Sequence, residues 1–266
     1  SNVRFGVNAG NSIASGGNQN TVVGDEAGTA ITTGDDNVAV GYTALDALDT
    51  GQYNIAVGVG ALGADTKGNR SVGVGLFALN EQNFTSATNA YNVAMGFYAG
   101  RKITTGIENT LIGGLAGDAL TDADYNVALG SAALSSDTLG NRATALGTFA
   151  LFSQNFQSAT DNYNVAVGYA AGNVITTGTQ NTLIGGLAGD ALTDADSNVA
   201  VGMQALTRDT LGSKSTAIGA GALDHQNFTS ATDGYNTAVG YGSGSAVTTG
   251  VSNTLIGGLA GDAITT

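Results

Sequence analysis

The five residues NVAVG, at Asn37–Gly41, belong to a pattern that recurs in register along the whole chain. In related units Ile, Leu, Met or Phe replaces the second Val, and other residues at times replace Ala. Fifteen units begin at Asn2, Asn20, Asn37, Asn54, Ser71, Asn92, Asn109, Asn126, Ala143, Asn164, Asn181, Asn198, Ser215, Asn236 and Asn253. The intervals between these starts are 18, then 17, 17, 17 and 21 three times over, then 17.

Four successive units form a super-repeat, so the stretch NTLIGGLAGDA returns unchanged at Asn109, Asn181 and Asn253, one super-repeat apart. We interpret residues 1–266 as a single repeat array. It comprises a leading turn at 1–19, three super-repeats at 20–91, 92–163 and 164–235, and a truncated fourth at 236–266. Because the sequence stops part-way through a repeat, we expect it to be a segment of a longer polypeptide.

A unit this short cannot hold two packed helices and their turns. Val, Ile and Thr favour strands, and the glycine that follows so soon limits each strand to four or five residues. One short strand, a corner, a second short segment and a return loop are typical of a parallel β-solenoid turn. The sequence therefore predicts an all-β protein of about 15 stacked turns, with strands about 4.8 Å apart.

Side chains alternate between the two faces of a strand, so the two valines of NVAVG share one face and Asn and Ala share the other. We expect the valines to fill the solenoid interior, and the alanines to form an outer stripe that another surface can approach closely. The corner glycine is expected to adopt a positive φ. Stacked asparagine amides are expected to bond from turn to turn. The asparagines to which we assign this structural role are Asn37, Asn92, Asn109, Asn126, Asn164, Asn181, Asn198 and Asn236.

The composition excludes several classes of function. The net charge is −13, from 8 basic and 21 acidic residues, which disfavours binding to nucleic acid or anionic lipid. The chain has no cysteine, so it holds no disulfide scaffold and no thiolate metal site. No apolar run reaches the length of about 18 residues that a membrane helix needs. We predict no cofactor and no membrane insertion in this segment.

The repeat resembles the head repeats of YadA-like trimeric autotransporter adhesins and related phage tail-fibre repeats. The stretches that carry the resemblance are NVAVGYTAL at Asn37–Leu45 and NTAVGYGS at Asn236–Ser243. The resemblance implies a left-handed parallel β-roll, three chains packed side by side as a homotrimer, and an extracellular or virion fibre that contacts a host. The turns of this chain are longer than is usual in the adhesin heads.

The resulting hypothesis is a non-enzymatic, structural fibre segment of a phage or virus particle, which holds or forms a host-receptor surface. Its expected partners are two further copies of itself, a host glycan or protein receptor, and other virion or surface-anchor proteins. The alternative is the head domain of a bacterial trimeric surface adhesin. A glycan-degrading spike and an ice-binding solenoid have less support, since His225 has no evident catalytic partner and TTG occurs once per super-repeat.

The last turn of each super-repeat is the candidate binding region. It occupies 71–91, 143–163 and 215–235, and we call it the long turn, because its extra residues must bulge from the regular period. An aromatic side chain on such a bulge can stack on a sugar or anchor a protein. The other reading is that each Phe covers its own chain or a chain interface. The candidates are Gln82, Phe84, Tyr91, Gln154, Phe156, Tyr163, Gln226, Phe228 and Tyr235.

Two groups of loop aspartates are weaker candidates for a cation site. Calcium needs six to eight oxygen ligands, of which three carboxylates could supply a part. The alternative is that these residues cap turns and keep the surface soluble. We predict no bound metal, and the candidate residues are Asp118, Asp122, Asp124, Asp190, Asp194 and Asp196.

Overall fold

Short parallel strands are the regular elements of the protein, and no helix is present. The computed structural model describes all 266 residues, which divide into two compact units, Ser1–Ala128 and Leu129–Thr266. Both units are built from turns of a parallel β-solenoid, with about fifteen turns in all. This confirms the predicted all-β, parallel β-solenoid fold of about fifteen turns.

The main sheet of the first unit has the strand order β1-β2-β3-β4-β6-β8-β9-β10, and β5 pairs with β7 beside it. The strands are β1 (Val3–Phe5), β2 (Thr21–Val23), β3 (Val38–Val40), β4 (Ile55–Val57), β5 (Gly68–Asn69), β6 (Val72–Val74), β7 (Thr88–Asn89), β8 (Val93–Met95), β9 (Thr110–Ile112) and β10 (Val127–Leu129).

The main sheet of the second unit has the order β12-β14-β15-β16-β18-β20-β21, with separate pairs β11-β13 and β17-β19. The strands are β11 (Gly140–Asn141), β12 (Thr144–Leu146), β13 (Thr160–Asp161), β14 (Val165–Val167), β15 (Thr182–Ile184), β16 (Val199–Val201), β17 (Gly212–Ser213), β18 (Thr216–Ile218), β19 (Thr232–Asp233), β20 (Thr237–Val239) and β21 (Thr254–Ile256).

The strand register equals the repeat spacing read from the sequence. Val38 pairs with Ile55 and Ala39 with Ala56, each at the same place in the next turn. Across the long turn, Thr216 pairs with Thr237, which is again the first residue of the following main-sheet strand. The extra residues of the long turn therefore leave the main-sheet register unchanged.

The face of the strand that points inward is the opposite of the one expected. The central alanines, such as Ala39 and Ala56, are fully buried, whereas Val38 and Val40 remain partly exposed. The prediction that the valines fill the interior was therefore wrong. The interior is narrow and already holds leucine side chains, as a Cβ placed on Gly73 would lie 3.3 Å from Cγ of Leu62 in the preceding turn. The small alanine side chain fits into this narrow interior, together with the asparagine on the same face of the strand.

The stacked asparagines form the predicted ladder, and they are buried. The backbone N–H of Asn181 donates to Asn164 Oδ1 at 2.9 Å, and the N–H of Asn198 donates to Asn181 Oδ1 at 3.0 Å. Asn181 Nδ2 also donates to the Ala195 carbonyl at 2.7 Å, which closes its own turn. One amide thus satisfies backbone groups in a neighbouring turn and in its own.

The glycine after each strand turns the corner with the predicted positive φ, for example +135° at Gly185. A Cβ on Gly185 would lie 2.5 Å from the carbonyl oxygen of Gly202, the corner glycine of the next turn. A real side chain cannot approach another backbone so closely, so the corner position requires glycine for space as well as for conformation.

Within NTLIGGLAGDA, a large interior side chain at one position is matched by a glycine at another. Leu111 takes the inward strand position that alanine holds in most turns, and it is fully buried. Gly117 stands where other turns carry a buried leucine such as Leu134, and a Cβ there would lie 2.7 Å from Leu111 Cδ2. The glycine therefore makes room for the leucine, which explains why the two occur together in each identical copy.

We predict that Gly185→Ala is strongly destabilising, while the neighbouring Gly186→Ala is not. Backbone strain at positive φ costs about 1–3 kcal/mol, and the clash with Gly202 adds to it. A Cβ on Gly186 meets nothing within 4 Å. The measurement is the urea midpoint of each variant by circular dichroism. Equal midpoints would contradict the corner assignment.

Asn181→Ala should lower the free energy of unfolding by about 2–4 kcal/mol, because it leaves the Asn198 N–H and the Ala195 carbonyl without their partner. Gln180→Ala, one residue earlier and exposed, should change it by less than about 0.5 kcal/mol. Chemical denaturation of the two variants under one set of conditions checks this. A similar loss in both would show that the ladder contributes little.

Candidate functional site

The phenylalanines of the long turn are buried, which overturns their assignment as protruding ligands. Phe84, Phe156 and Phe228 are only 5–6% exposed. Phe156 lies over a glycine of the preceding turn, as a Cβ on Gly140 would lie 2.8 Å from Phe156 Cδ2, and Phe228 covers Gly212 in the same way. The residues that do bulge into solvent are uncharged, mostly polar and not aromatic: 85–87, 157–159 and 229–231.

The glutamines of the same turn are fully buried and belong to a polar network, so they do not form a binding surface. Gln82 Nε2 donates to Asp65 Oδ2 at 2.5 Å and to Ser71 Oγ at 3.0 Å. Asn92 Nδ2 donates to Gln82 Oε1 at 2.9 Å. Asp65 Oδ1 accepts the backbone N–H groups of Gly68 and Phe84, at 2.9 and 3.2 Å.

This network recurs in each super-repeat at the turn whose ladder position is not asparagine. Gln154 and Gln226 donate to Asp137 and Asp209 at 2.6 and 2.5 Å. The ladder position there is Ser71, Ala143 or Ser215, whose side chain is shorter than that of asparagine. Gln82, Gln154 and Gln226 supply the missing amide to the next asparagine, so their role is structural.

The tyrosines at the end of the long turn are exposed, as predicted. Tyr91, Tyr163 and Tyr235 are between 51 and 55% accessible. Each contacts a cation of the preceding turn. Arg142 Cζ lies 6.0 Å from the Tyr163 ring centre, and Lys214 Nζ lies 5.4 Å from that of Tyr235. These tyrosines remain candidates for ligand contact.

The loop aspartates named as cation candidates accept hydrogen bonds from an adjacent turn. Thr105 Oγ1 donates to Asp122 at 2.7 Å, and the Ile107 N–H donates to Asp124 at 2.8 Å. In the next super-repeat, Thr177 Oγ1 donates to Asp194 and the Thr179 N–H donates to Asp196 in the same way. No group of three acidic or histidine side chains is placed to hold a metal ion.

The two remaining candidates, Asp118 and Asp190, are half-buried. Desolvation raises the pKa of both carboxyls above the ordinary value. Thr207 donates a hydrogen bond to Asp190 Oδ1 at 2.5 Å. Burial disfavours the charged form of both carboxyls, and a cation binds the charged form. One oxygen of Asp190 is also already used by the Thr207 hydroxyl. Both residues are therefore poor cation ligands.

An uncharged apolar face lies on the outside of each main sheet, and sequence reasoning did not anticipate it. The first and third residues of the main-sheet strands point outward, as in Val165 and Val167 of β14. Exposed aromatic residues extend this face just beyond the corner glycine: Tyr42, Phe97, Tyr169 and Tyr241. The signal was available, because an aromatic residue follows the strand glycine in VGYTAL, MGFYAG, VGYAAG and VGYGSG.

The second unit carries a shallow groove of about 280 Å³. Met203 and Tyr241 line it together with Asp224 and Ser245. His225 is exposed, and its Nδ1 lies 3.1 Å from Asp224 Oδ1. No third side chain completes a catalytic arrangement with His225 and Asp224.

Known proteins provide no match from which a function could be transferred, so the geometry alone supports a functional interpretation. No family model, curated protein or solved structure matches the chain. The structure contains no helix long and apolar enough to span a membrane.

The free energy of unfolding should depend on pH because the Asp65 carboxyl is buried. Burial raises its pKa above 3.8, against the opposing hydrogen bond from Gln82. A raised folded-state pKa adds stability below pH 3.8 that is lost as pH rises through the folded pKa. Asn at this position cannot titrate.

We therefore expect the free energy of unfolding of the wild type, minus that of Asp65→Asn, to fall as pH rises from about 3.5 towards 7. Urea titrations of both proteins at several pH values measure this difference. A difference that grows with pH would show that the hydrogen bonds to the carboxylate outweigh its burial.

Proposed function

We propose that this chain is a non-enzymatic structural fibre segment of a phage or virus particle, a left-handed parallel β-roll that associates as a homotrimer and holds or forms a host-receptor surface. The observation that carries the proposal is the apolar outer face of the main sheets. Every strand from β2 to β21 that contributes to this face presents Val, Ile, Leu, Met or Thr there, and none presents a charge.

A second copy of the chain is the occupant that fits this face best. The columns repeat about every 4.8 Å, and a copy offers side chains with the same repeat over the same length. Each half-exposed valine or isoleucine that becomes buried contributes about 1 kcal/mol, so several turns together offset the cost of association. Cyclic symmetry closes such a contact without leaving an apolar edge.

The proposed contact differs from the one inferred from sequence. The alanine stripe cannot form it, because those alanines are inside the solenoid. The Val, Ile and Leu columns take its place. A fibre whose exposed apolar face is covered by its own copies leaves the long-turn loops and their tyrosines available to a host glycan or protein.

A bacterial trimeric adhesin head is the alternative, and the same geometry supports it. Flanking sequence separates the two: a heptad stalk with a C-terminal membrane barrel favours the adhesin, and a fibre chaperone or baseplate-binding region favours the virion. A glycan-degrading spike and an ice-binding solenoid have less support. Threonine occurs in only one of the two outward columns, and Thr105 and Thr177 of TTG bond aspartates.

Light scattering at micromolar concentration should give three times the chain mass of 26.2 kDa. The double variant Val167→Lys and Ile184→Lys places two charges on the outer face of β14 and β15, and it should dissociate the assembly because an unpaired charge is costly to bury.

The matched control is the double variant Ser158→Lys and Ser230→Lys, which adds the same charge at exposed residues of the long-turn bulges and should keep the wild-type mass. A monomeric wild type would refute the homotrimer. A trimeric Val167→Lys and Ile184→Lys variant would refute this face as the interface.

A further inference from the structure

The shallow groove of the second unit opens where the third long turn has a glycine in place of a phenylalanine. Gly221 occupies the position that Phe149 holds in the preceding super-repeat and Phe77 holds in the first long turn. All three residues have a similar backbone conformation, with φ of 66°, 60° and 53°. A Cβ on Gly221 would meet nothing within 4 Å, so the space beyond this position is open.

In the preceding super-repeat the protein fills the corresponding space with its own side chain. The centre of the Phe149 ring lies 6.3 Å from that of Tyr169 and 5.5 Å from that of Phe152, and both contacts are edge to face. The residues at the positions of these two neighbours in the groove are Tyr241 and Asp224. The groove therefore has room for one six-membered ring, keeps an aromatic wall, and carries a carboxylate where the filled site has a second phenyl ring.

The lining of the groove combines apolar and polar side chains. Tyr241 and Met203 are 71 and 61% exposed. Asp224 Oδ1 contacts His225 Nδ1 at 3.1 Å, and its Oδ2 has no hydrogen bond within the protein. The volume of about 280 Å³ lies just below the range of about 300–1,000 Å³ that is usual for drug-sized ligands, so the groove suits a single ring.

We propose that this groove binds one neutral pyranose ring of a glycan. The apolar C–H face of a pyranose packs on the Tyr241 ring, and its hydroxyls donate hydrogen bonds to the Asp224 carboxylate. A phenyl ring would fit the space but would cover the carboxylate without giving it a donor, so a hydroxylated ring is favoured. The net charge of −13 favours a neutral sugar over an acidic one.

The inference deepens the proposed function, because it names the ligand class of the host-receptor surface, and it rests on that proposal for the biological source of the glycan. All residues that line the groove follow a corner glycine, and none belongs to a main-sheet strand. Ala220, Gly221 and Asp224 belong to the third long turn. Tyr241, at the edge of the outer face, is the one side chain that the groove shares with the proposed chain interface. Sugar binding and chain association can therefore be tested separately.

The two methionines of the chain provide the readout, since Met203 lines the groove and Met95 lies on the outer face of β8. The whole protein, with ¹³C-labelled methionine methyl groups, is titrated with the methyl pyranosides of glucose, galactose, mannose and N-acetylglucosamine. At least one of them should shift the Met203 NMR signal saturably, with a dissociation constant on the order of 1–10 mM for so shallow a site, and leave Met95 unmoved. Sorbitol, which has the hydroxyls without the ring, should shift neither signal.

Gly221→Phe should fill the groove from within, as Phe149 does, and abolish the Met203 shift. Phenylalanine already adopts this backbone conformation at Phe149, and an unchanged Met95 signal shows that the variant folds. The matched control is Gly114→Phe, which adds the same side chain at another glycine with open space around it and should keep the shift.

Tyr241→Ala should weaken binding about tenfold and Asp224→Ala about fivefold, because each removes one of the two proposed contacts. No saturable Met203 shift with any of the four glycosides, or unchanged binding in Gly221→Phe, would overturn the proposal. Equal shifts with sorbitol, or tighter binding of N-acetyltyrosinamide, would overturn the assignment to a sugar ring.

The same titration of the double variant Val167→Lys and Ile184→Lys separates this inference from the proposed assembly. Binding should persist in that variant, because neither residue lines the groove. A wild type that is monomeric but binds a glycoside would refute the homotrimer alone, and a trimer that binds none would refute the sugar site alone.

Discussion

The buried asparagine column constrains the rest of the structure, because one residue there does three things at once. Asn181 donates through its backbone to the turn before it, accepts from the turn after it, and closes its own turn through Nδ2. An amide that far from water must have all its partners, so the chain must return to the same position after each turn. The inward-facing alanine, the corner glycine and the outward valines follow from that placement.

Where the asparagine is missing, the turn changes length. Ser71 and Ser215 cannot span the distance to the next turn, and a glutamine from further along the chain enters the interior to do so. Its other contact is a buried aspartate, and the phenylalanine two residues later seals the network. The long turn thus repairs the ladder, and its exposed residues 85–87 are a by-product of the return path.

The spacing of the units predicted the fold well, since stacked turns with one strand each must repeat at a fixed interval. The corner glycines and the asparagine ladder were also predictable, because few other residues meet those backbone demands. Alternation alone shows which residues share a face and not which face is inward. The valines were placed inside because they are more apolar, yet the need to bury Asn164 and its neighbours decides the orientation. Phe84 was taken for a ligand contact because loop length alone does not reveal the Asp65 and Gln82 pair beneath it.

The identical NTLIGGLAGDA stretches also bear on how such a protein changes in evolution. Interior contacts join residues that lie a whole turn apart, and Leu111 is matched to Gly117 within one copy. Exchange between two misaligned gene copies at these stretches would add or remove one whole super-repeat without creating a new kind of interior contact. Exchange of this kind would therefore change the length of the protein in steps of a complete super-repeat.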